Sequence, residues 1–228
     1  MSKKIYIFKD MSYLAKYKKN DFKKLSWKEY SKTLDILCGK IRRYINKNGI
    51  KINAIVPILR AGAFPGIFLS YRFHILRILP LQYHYRFTKN KIELRNILNI
   101  NSKGLNIPSK PTFLLVEGNH CFGLTASTVA KDLKRAFPNC KIIYAADHID
   151  YSYQKIDNVD KIFYGKLTNE TRILSKKDCL KKGIENPLSY LFPWEDMGEE
   201  WTTVQGKQFK YEDVKILESG KLKKEISK

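Results

Sequence analysis

Cysteine is scarce in this sequence, and its spacing excludes two common site types. Four cysteines occur in 228 residues, and no two are separated by the two residues that are typical of a zinc site. Small secreted domains that depend on disulfides are much denser in cysteine. The sequence therefore predicts neither a zinc centre nor a disulfide framework, and we expect a protein of the reducing cytoplasm.

Long hydrophobic runs are also missing. No segment approaches the roughly 20 apolar residues that a membrane-spanning helix requires. The first ten residues contain a short apolar stretch flanked by lysines, but they lack the long hydrophobic core and cleavage site of a signal peptide. We therefore expect no membrane association and no secretory leader. Internal repeats and low-complexity linkers are absent too, which favours a single domain.

Acidic residues are few compared with basic ones. Asp and Glu number 22 against 43 Lys and Arg, and the formal net charge is +21. Such an excess is typical of proteins that bind nucleic acid or another polyanion. A compositional bias is the alternative, because lysine, isoleucine and asparagine are abundant together and the basic residues are spread along the chain. Either interpretation allows the charge to attract anionic substrates.

Hydrophobic residues make up 43% of the chain, which is enough for a packed core. A capping box formed by Ser26 and Glu29 precedes an amphipathic helix that should end near Gly49. Further helices are predicted at 65–74 and 125–137. Strands are predicted at 52–58, 78–85, 113–117, 141–146, 159–164 and 190–192. The alternation predicts an α/β fold, a single domain with a mostly parallel twisted sheet and helices on both faces.

Polar segments set the predicted domain limits. Residues 86–110 are polar and irregular, which indicates a small hood or flexible loop that closes over a site. We expect an N-terminal extension over 1–25, the α/β domain over 26–200, and a lysine-rich tail over 201–228.

Residues 113–126 carry the clearest functional pattern. Four apolar residues are followed by Glu117, then by a short loop with Gly123, and then by a helix that starts near Thr125. In open α/β sheets this arrangement points loop and helix N–H groups at a phosphate. An acid at the preceding strand end can hold a metal or a sugar hydroxyl. The sequence therefore predicts a phosphate site at this edge of the sheet.

Three segments in this order resemble the type I phosphoribosyltransferases, and more narrowly their xanthine–guanine branch. The first segment is 56–66 and contains Pro57-Ile58-Leu59-Arg60-Ala61-Gly62. The second is 113–128. The third is Leu191-Phe192-Pro193-Trp194-Glu195. The first segment is similar in uracil-specific members, so it does not distinguish the branches.

The resemblance implies an enzyme that transfers ribose 5-phosphate from phosphoribosyl pyrophosphate to a nitrogenous base, with Mg²⁺ as cofactor. It implies that pyrophosphate binds to Leu59, Arg60, Ala61 and Gly62. It implies that the 5′-phosphate binds to Cys121, Phe122, Gly123, Leu124, Thr125 and Ala126. Glu117 would be the catalytic carboxylate that contacts the ribose hydroxyls, and Glu117 and Glu195 would hold the metal. Asp147, Tyr190 and Leu191 would contact the base. Such enzymes are often homodimers or tetramers.

This chain departs from the family pattern at five positions, one of which is Ser189, where the family has a ring-stacking aromatic and this chain has its tyrosine one residue later, at Tyr190. The family has a second acid where this chain has Gly118, and a threonine where it has Phe122. In the pocket for the nitrogenous base, the purine branch has an aspartate where this chain has Cys121 and a lysine where it has Asp147. A carboxylate at 147 would repel the carbonyl of a 6-oxopurine and would suit an exocyclic amine. We therefore expect an acceptor other than a standard 6-oxopurine.

Several alternatives stay open at this stage. The missing second acid and the basic charge also fit a catalytically inactive fold that binds nucleotides or nucleic acid. Asp147, His148 and Asp150 have the composition of a metal site, although a turn in which Asp and His act as caps is the favoured explanation. His120 and Cys121 could form a nucleophilic pair, but adjacent side chains rarely point at one another.

Overall fold

The computed structural model describes residues 22–88, 91–121, 123–151, 155–170, 174–184 and 189–199. At 85–88, 91–93 and 189 it describes the backbone alone. Phe122, most of the predicted N-terminal extension and the whole lysine-rich tail lie outside the described residues. Within the described ranges, no helix is long and apolar enough to cross a membrane.

The strands and helices alternate along most of the chain. Their bounds are β1 Phe22–Lys24, α1 Trp27–Lys47, β2 Ala54–Leu59, α2 Ala63–Phe73, β3 Leu81–Thr88, β4 Lys91–Leu98, β5 Thr112–His120, α3 Leu124–Ala136, β6 Lys141–Asp150, β7 Lys161–Thr168, α4 Lys176–Lys181 and β8 Ser189–Leu191.

The main sheet of the described chain has six strands in the order β4-β3-β2-β5-β6-β7. Strand β2 pairs in parallel with β3 and β5, and β6 pairs in parallel with β5 and β7. The register places Pro57 beside Val116 and Glu117 beside Ala146. The carboxyl ends of β2, β5 and β6 therefore meet at one edge, and the prediction of a mostly parallel α/β sheet is confirmed.

Residue contacts divide the chain into two units. The first unit comprises the described residues within 28–83 and 96–168, and the second comprises those within 22–27, 84–95 and 169–199. The second unit contains α4 and a two-stranded parallel sheet in which Lys23 pairs with Tyr190.

Helix α1 covers one face of the central strands in the first unit. Its buried residues recur every three or four positions, as an amphipathic helix requires. Leu37 and Ile41 pack with Ile55, Leu114 and Ile143 in the hydrophobic core. Full burial of each such side chain contributes roughly 1.5–3 kcal/mol. This packing fixes the strands whose ends carry the candidate site.

The structure corrects the sequence analysis in three places. The stretch 86–110 contains strand β4, so it is not irregular throughout. Strand β5 continues to His120, so Glu117 lies inside it. Strand β6 continues to Asp150, so 147–150 is strand and not a turn. The polar residues remain in strands because each finds backbone partners in a neighbouring strand, as His148 does beside Asn119.

Candidate functional site

The loop after β2 packs directly against β5. The Leu59–Arg60 peptide bond is cis, and the N–H of Gly62 donates to the carbonyl oxygen of Ile58 at 2.8 Å. A side chain at Gly62 would overlap the carbonyl oxygen of Val116. Only glycine allows this close approach. The loop predicted to bind pyrophosphate therefore lies against the strand that carries Glu117, while Arg60 itself is exposed.

Gly118 lies under the same loop. A Cβ atom at this position would be 2.7 Å from the carbonyl oxygen of Ala61 and 3.1 Å from the Ala61 Cβ. The space that a second acid would need is therefore filled by backbone. This explains physically why the position next to Glu117 carries no side chain.

Helix α3 begins against the His120 ring, and its N-terminus is the predicted phosphate site. Gly123 is its N-cap with a left-handed φ of 71°, and no side chain caps the helix. The first intrahelical bond runs from the N–H of Ser127 to the carbonyl oxygen of Gly123. The N–H groups of 124–126 therefore have no acceptor within the helix, and the helix dipole adds partial positive charge there. Ala126 is fully buried, and Leu124, Thr125 and Cys121 are partly exposed.

Three side chains form a hydrogen-bonded chain at this edge. The Tyr144 hydroxyl, from β6, donates to Oε2 of Glu117 at 2.5 Å. Nδ1 of His120 is 2.8 Å from the same hydroxyl. When Glu117 is ionised, the phenol proton goes to its carboxylate, and the imidazole N–H is then the donor in the second contact. His120 and Tyr144 are almost completely buried, and the Glu117 side chain is 14% exposed. We call these residues the Glu117 network.

Burial controls the ionisation of Glu117. Loss of water raises its pKa to about 7, and the Tyr144 hydrogen bond acts in the opposite direction. The pKa of Tyr144 lies well above its ordinary value because the phenol is buried and faces the Glu117 carboxylate. Tyr144 therefore remains a hydrogen-bond donor, while Glu117 changes charge near neutral pH.

Asp147 and His148 lie side by side in β6, and both are fully buried. Nδ1 of His148 is 2.7 Å from Oδ2 of Asp147, which is ion-pair distance, but the alignment is not that of a hydrogen bond. Neither oxygen of Asp147 accepts a hydrogen bond from the described residues. Burial raises the pKa of Asp147, and His148 and Lys166 partly oppose this. Such a carboxyl group is stabilised by any hydrogen-bond donor that reaches it.

The remaining predicted site residues belong to the second unit. Tyr190 and Leu191 are buried in β8, where they pair with Lys23 and Lys24 of β1. Oε2 of Glu195 accepts a hydrogen bond from the N–H of Phe192 at 2.8 Å. This contact gives Glu195 a structural role in the turn after β8.

The described part of the chain contains no group of three or more His, Cys, Asp or Glu residues arranged to hold a metal ion. Proteins usually bind Mg²⁺ through one or two carboxylates together with substrate phosphates. Oε1 of Glu117 accepts no hydrogen bond from the described residues, so it can serve as one such ligand. The donor set thus fits a metal that arrives with a phosphorylated substrate.

Sequence reasoning missed Tyr144 and the bond that joins it to Glu117. Tyr144 lies within an apolar run and has the pattern of a core residue. The strand register places Glu117 beside Ala146, two residues from Tyr144 and on the same face of β6. A correct strand register was therefore the signal that could have identified the pair.

Known proteins with similar structures identify the fold. Purine phosphoribosyltransferase from Pyrococcus horikoshii Ot3 has a TM-score of 0.54 and 16% identity, over 77% of this chain and 95% of that one. Xanthine-guanine-hypoxanthine phosphoribosyltransferase from Helicobacter pylori has a TM-score of 0.54 and 16% identity, over 80% of this chain and 99% of that one. A hypothetical protein from Neisseria gonorrhoeae with bound ppGpp has a TM-score of 0.59 and 15% identity, over 82% of this chain and 97% of that one.

These likenesses show that the chain has the type I phosphoribosyltransferase fold, as the resemblance implied. No protein-family model matches the sequence, and no curated protein matches it significantly. At such low identity the likeness defines the fold, and the chemistry must be argued from the site.

Proposed function

We propose that this protein is a Mg²⁺-dependent phosphoribosyltransferase that takes phosphoribosyl pyrophosphate as donor and an amine-bearing nitrogenous base as acceptor. The observation that carries the proposal is the meeting of three features at one sheet edge. The loop 59–62 packs against Val116 and Gly118, the neighbours of Glu117 in β5. The N-cap of α3, Gly123, lies against His120, which the Tyr144 hydroxyl connects to Glu117. One acid linked by these contacts to two sets of backbone donors matches a sugar that bears phosphate groups at both ends.

The reaction breaks the bond between C1′ of the ribose and pyrophosphate, and a base nitrogen forms the new bond. Positive charge develops on the ribose ring in the transition state, so the protein mainly positions and stabilises charged groups. The N–H groups of 124–126 would hold the 5′-phosphate, and residues 59–62 would hold the leaving group. Glu117 would accept hydrogen bonds from the ribose hydroxyls. Mg²⁺, when bound, supplies positive charge to the pyrophosphate as it leaves.

Asp147 supports the choice of acceptor. Its carboxyl is buried, and neither oxygen accepts a hydrogen bond from the described residues. A ligand amine would satisfy this group, whereas a 6-oxo group would leave two acceptors facing each other. We therefore expect bases that carry an amine in place of the 6-oxo group to be used in preference to hypoxanthine, guanine or xanthine, all of which have the 6-oxo group.

Two substitutions test donor binding. Glu117→Gln removes the charge with little change of volume, and Gly123→Val introduces a side chain where φ is 71°. We expect each to weaken Mg²⁺-dependent donor binding by about tenfold to a hundredfold, the usual cost of losing a hydrogen bond to a charged group. Glu199→Gln, the same chemical change at an exposed residue, is the control. Unchanged calorimetric affinity in both site variants would refute the proposal.

A second candidate is an inactive fold that binds nucleic acid. Backbone packing at Gly118 and the net charge of +21 favour it, because the acid pair is incomplete and the chain attracts polyanions. It predicts nucleic-acid binding that weakens steeply as salt increases. Absent or salt-independent binding would exclude this candidate.

A further inference from the structure

The Glu117 network fixes one oxygen of an acid that would otherwise rotate. Oε2 accepts the Tyr144 hydroxyl, whereas Oε1 accepts no hydrogen bond from the described residues. A glutamate has three side-chain torsions, and fixing one oxygen restricts them before a ligand arrives. An acid that is already oriented loses less conformational entropy when it binds.

A second acid cannot perform this task in the present backbone. A side chain at Gly118 would meet the carbonyl oxygen of Ala61 at 2.7 Å. Strand β6 provides the constraint instead, because Tyr144 reaches Glu117 across the pairing between β5 and β6. Tyr144 cannot move away easily, since its side chain is completely buried.

His120 extends the chain towards the phosphate loop. Its Nδ1–H holds the Tyr144 oxygen, and its ring meets the phenol edge-on at 5.4 Å between centroids. The other side of the imidazole rests on Gly123, where a Cβ atom would be 2.6 Å from Cε1. One continuous set of contacts therefore connects the N-cap of α3 to the carboxyl group of Glu117.

From this geometry we propose that Tyr144 and His120 are positioning residues for donor binding. They hold Oε2 of Glu117 so that Oε1 faces the ribose hydroxyls or the metal. His120 acts through Tyr144, and Tyr144 acts through Glu117. The inference rests on the proposed function, because it assigns these residues to the same donor site.

The test compares donor affinity with phosphate affinity in matched variants. Tyr144→Phe removes only the hydroxyl, and His120→Leu removes the imidazole donor. His120→Asn keeps an N–H close to the position of Nδ1. Tyr83→Phe is the control, because the Tyr83 hydroxyl also donates to a carboxylate, Oδ2 of Asp132, at 2.8 Å. Phosphoribosyl pyrophosphate with Mg²⁺ is titrated by calorimetry, and inorganic phosphate without Mg²⁺ is titrated by NMR.

We expect Tyr144→Phe to weaken donor binding about tenfold, as loss of a hydrogen bond to a charged group does, and to leave phosphate binding unchanged. His120→Leu should have a similar effect, His120→Asn should recover most of it, and Tyr83→Phe should bind as the wild type does. His120→Leu should add no further loss to Tyr144→Phe, because the two act in series.

Three results would overturn the inference. Donor affinity of Tyr144→Phe within twofold of the wild type would overturn it alone. Equal losses of donor and phosphate affinity would show a general packing defect, and would also overturn it. Failure of the wild-type protein to bind the donor would overturn the proposed function and this inference together.

Discussion

Replacing Glu117 by Gln should make the protein more stable while it weakens donor binding. Burial raises the pKa of Glu117 from 4.5 to about 7, so the folded protein holds this proton more tightly than the unfolded chain. The stabilisation that the folded state gains by holding this proton is fully present below pH 4.5, and it is lost as the pH rises through about 7. Above pH 7 the folded state therefore carries the full cost of a buried carboxylate.

The pKa difference sets the size of the effect. A pKa difference of about 2.5 lowers the free energy of unfolding of the wild type by about 3 kcal/mol at pH 8, and by less than about 1 kcal/mol at pH 5. Glutamine has nearly the same volume and cannot ionise. Its amide oxygen can still accept the Tyr144 hydroxyl, so the network keeps its bond. Glu117→Gln should therefore be more stable than the wild type at pH 8, by an amount that decreases towards pH 5.

Urea denaturation of both proteins at pH 5 and pH 8 measures this difference, with Glu199→Gln as the exposed control. The decisive quantity is how the difference in free energy of unfolding between variant and wild type changes with pH, because pH-independent effects of the substitution cancel. A difference that stays constant between the two pH values would refute the assignment of a buried, perturbed acid. A variant that becomes less stable than the wild type as pH rises would refute it more strongly.

Three further outcomes follow from the same site. Donor affinity measured by calorimetry should decrease as the pH falls below about 7, because Glu117 then loses the charge that binds the metal and ribose; constant affinity between pH 6 and 8 would contradict this. Gly118→Asp should lower the melting temperature without improving donor binding, since its Cβ would be 2.7 Å from the carbonyl oxygen of Ala61; a stable variant with tighter binding would contradict the packing argument. Gly123→Ala should weaken inorganic phosphate binding in NMR titrations, because φ is 71° and a Cβ would press on the His120 ring; unchanged binding would place the phosphate elsewhere.

Local sequence signals predicted helices α1 and α3 well, whereas the short helix α4 was not predicted. Helix α1 begins at Trp27, directly after the predicted N-cap Ser26, and ends at Lys47, two residues before Gly49. Helix α3 spans Leu124–Ala136, within one residue of the predicted 125–137. Caps and apolar periodicity act within a few residues, so they can be interpreted without knowledge of the fold.

Strand ends and side-chain partners were harder to predict, because they depend on residues distant in sequence. Strand β6 continues through Asp147 and His148 because β5 and β7 lie on either side of it. Strand β4 lies in a polar stretch whose pattern did not indicate a strand. Glu117 was predicted as a site residue from its place before the glycine loop. Its bond to Tyr144 spans 27 positions and depends on strand register, which local patterns do not specify.

The most direct test of the account is calorimetric titration of the wild-type protein with phosphoribosyl pyrophosphate, with and without Mg²⁺. We predict binding in the micromolar range that requires Mg²⁺ and is weakened about tenfold to a hundredfold in Glu117→Gln. Absence of binding at millimolar donor concentration would contradict it.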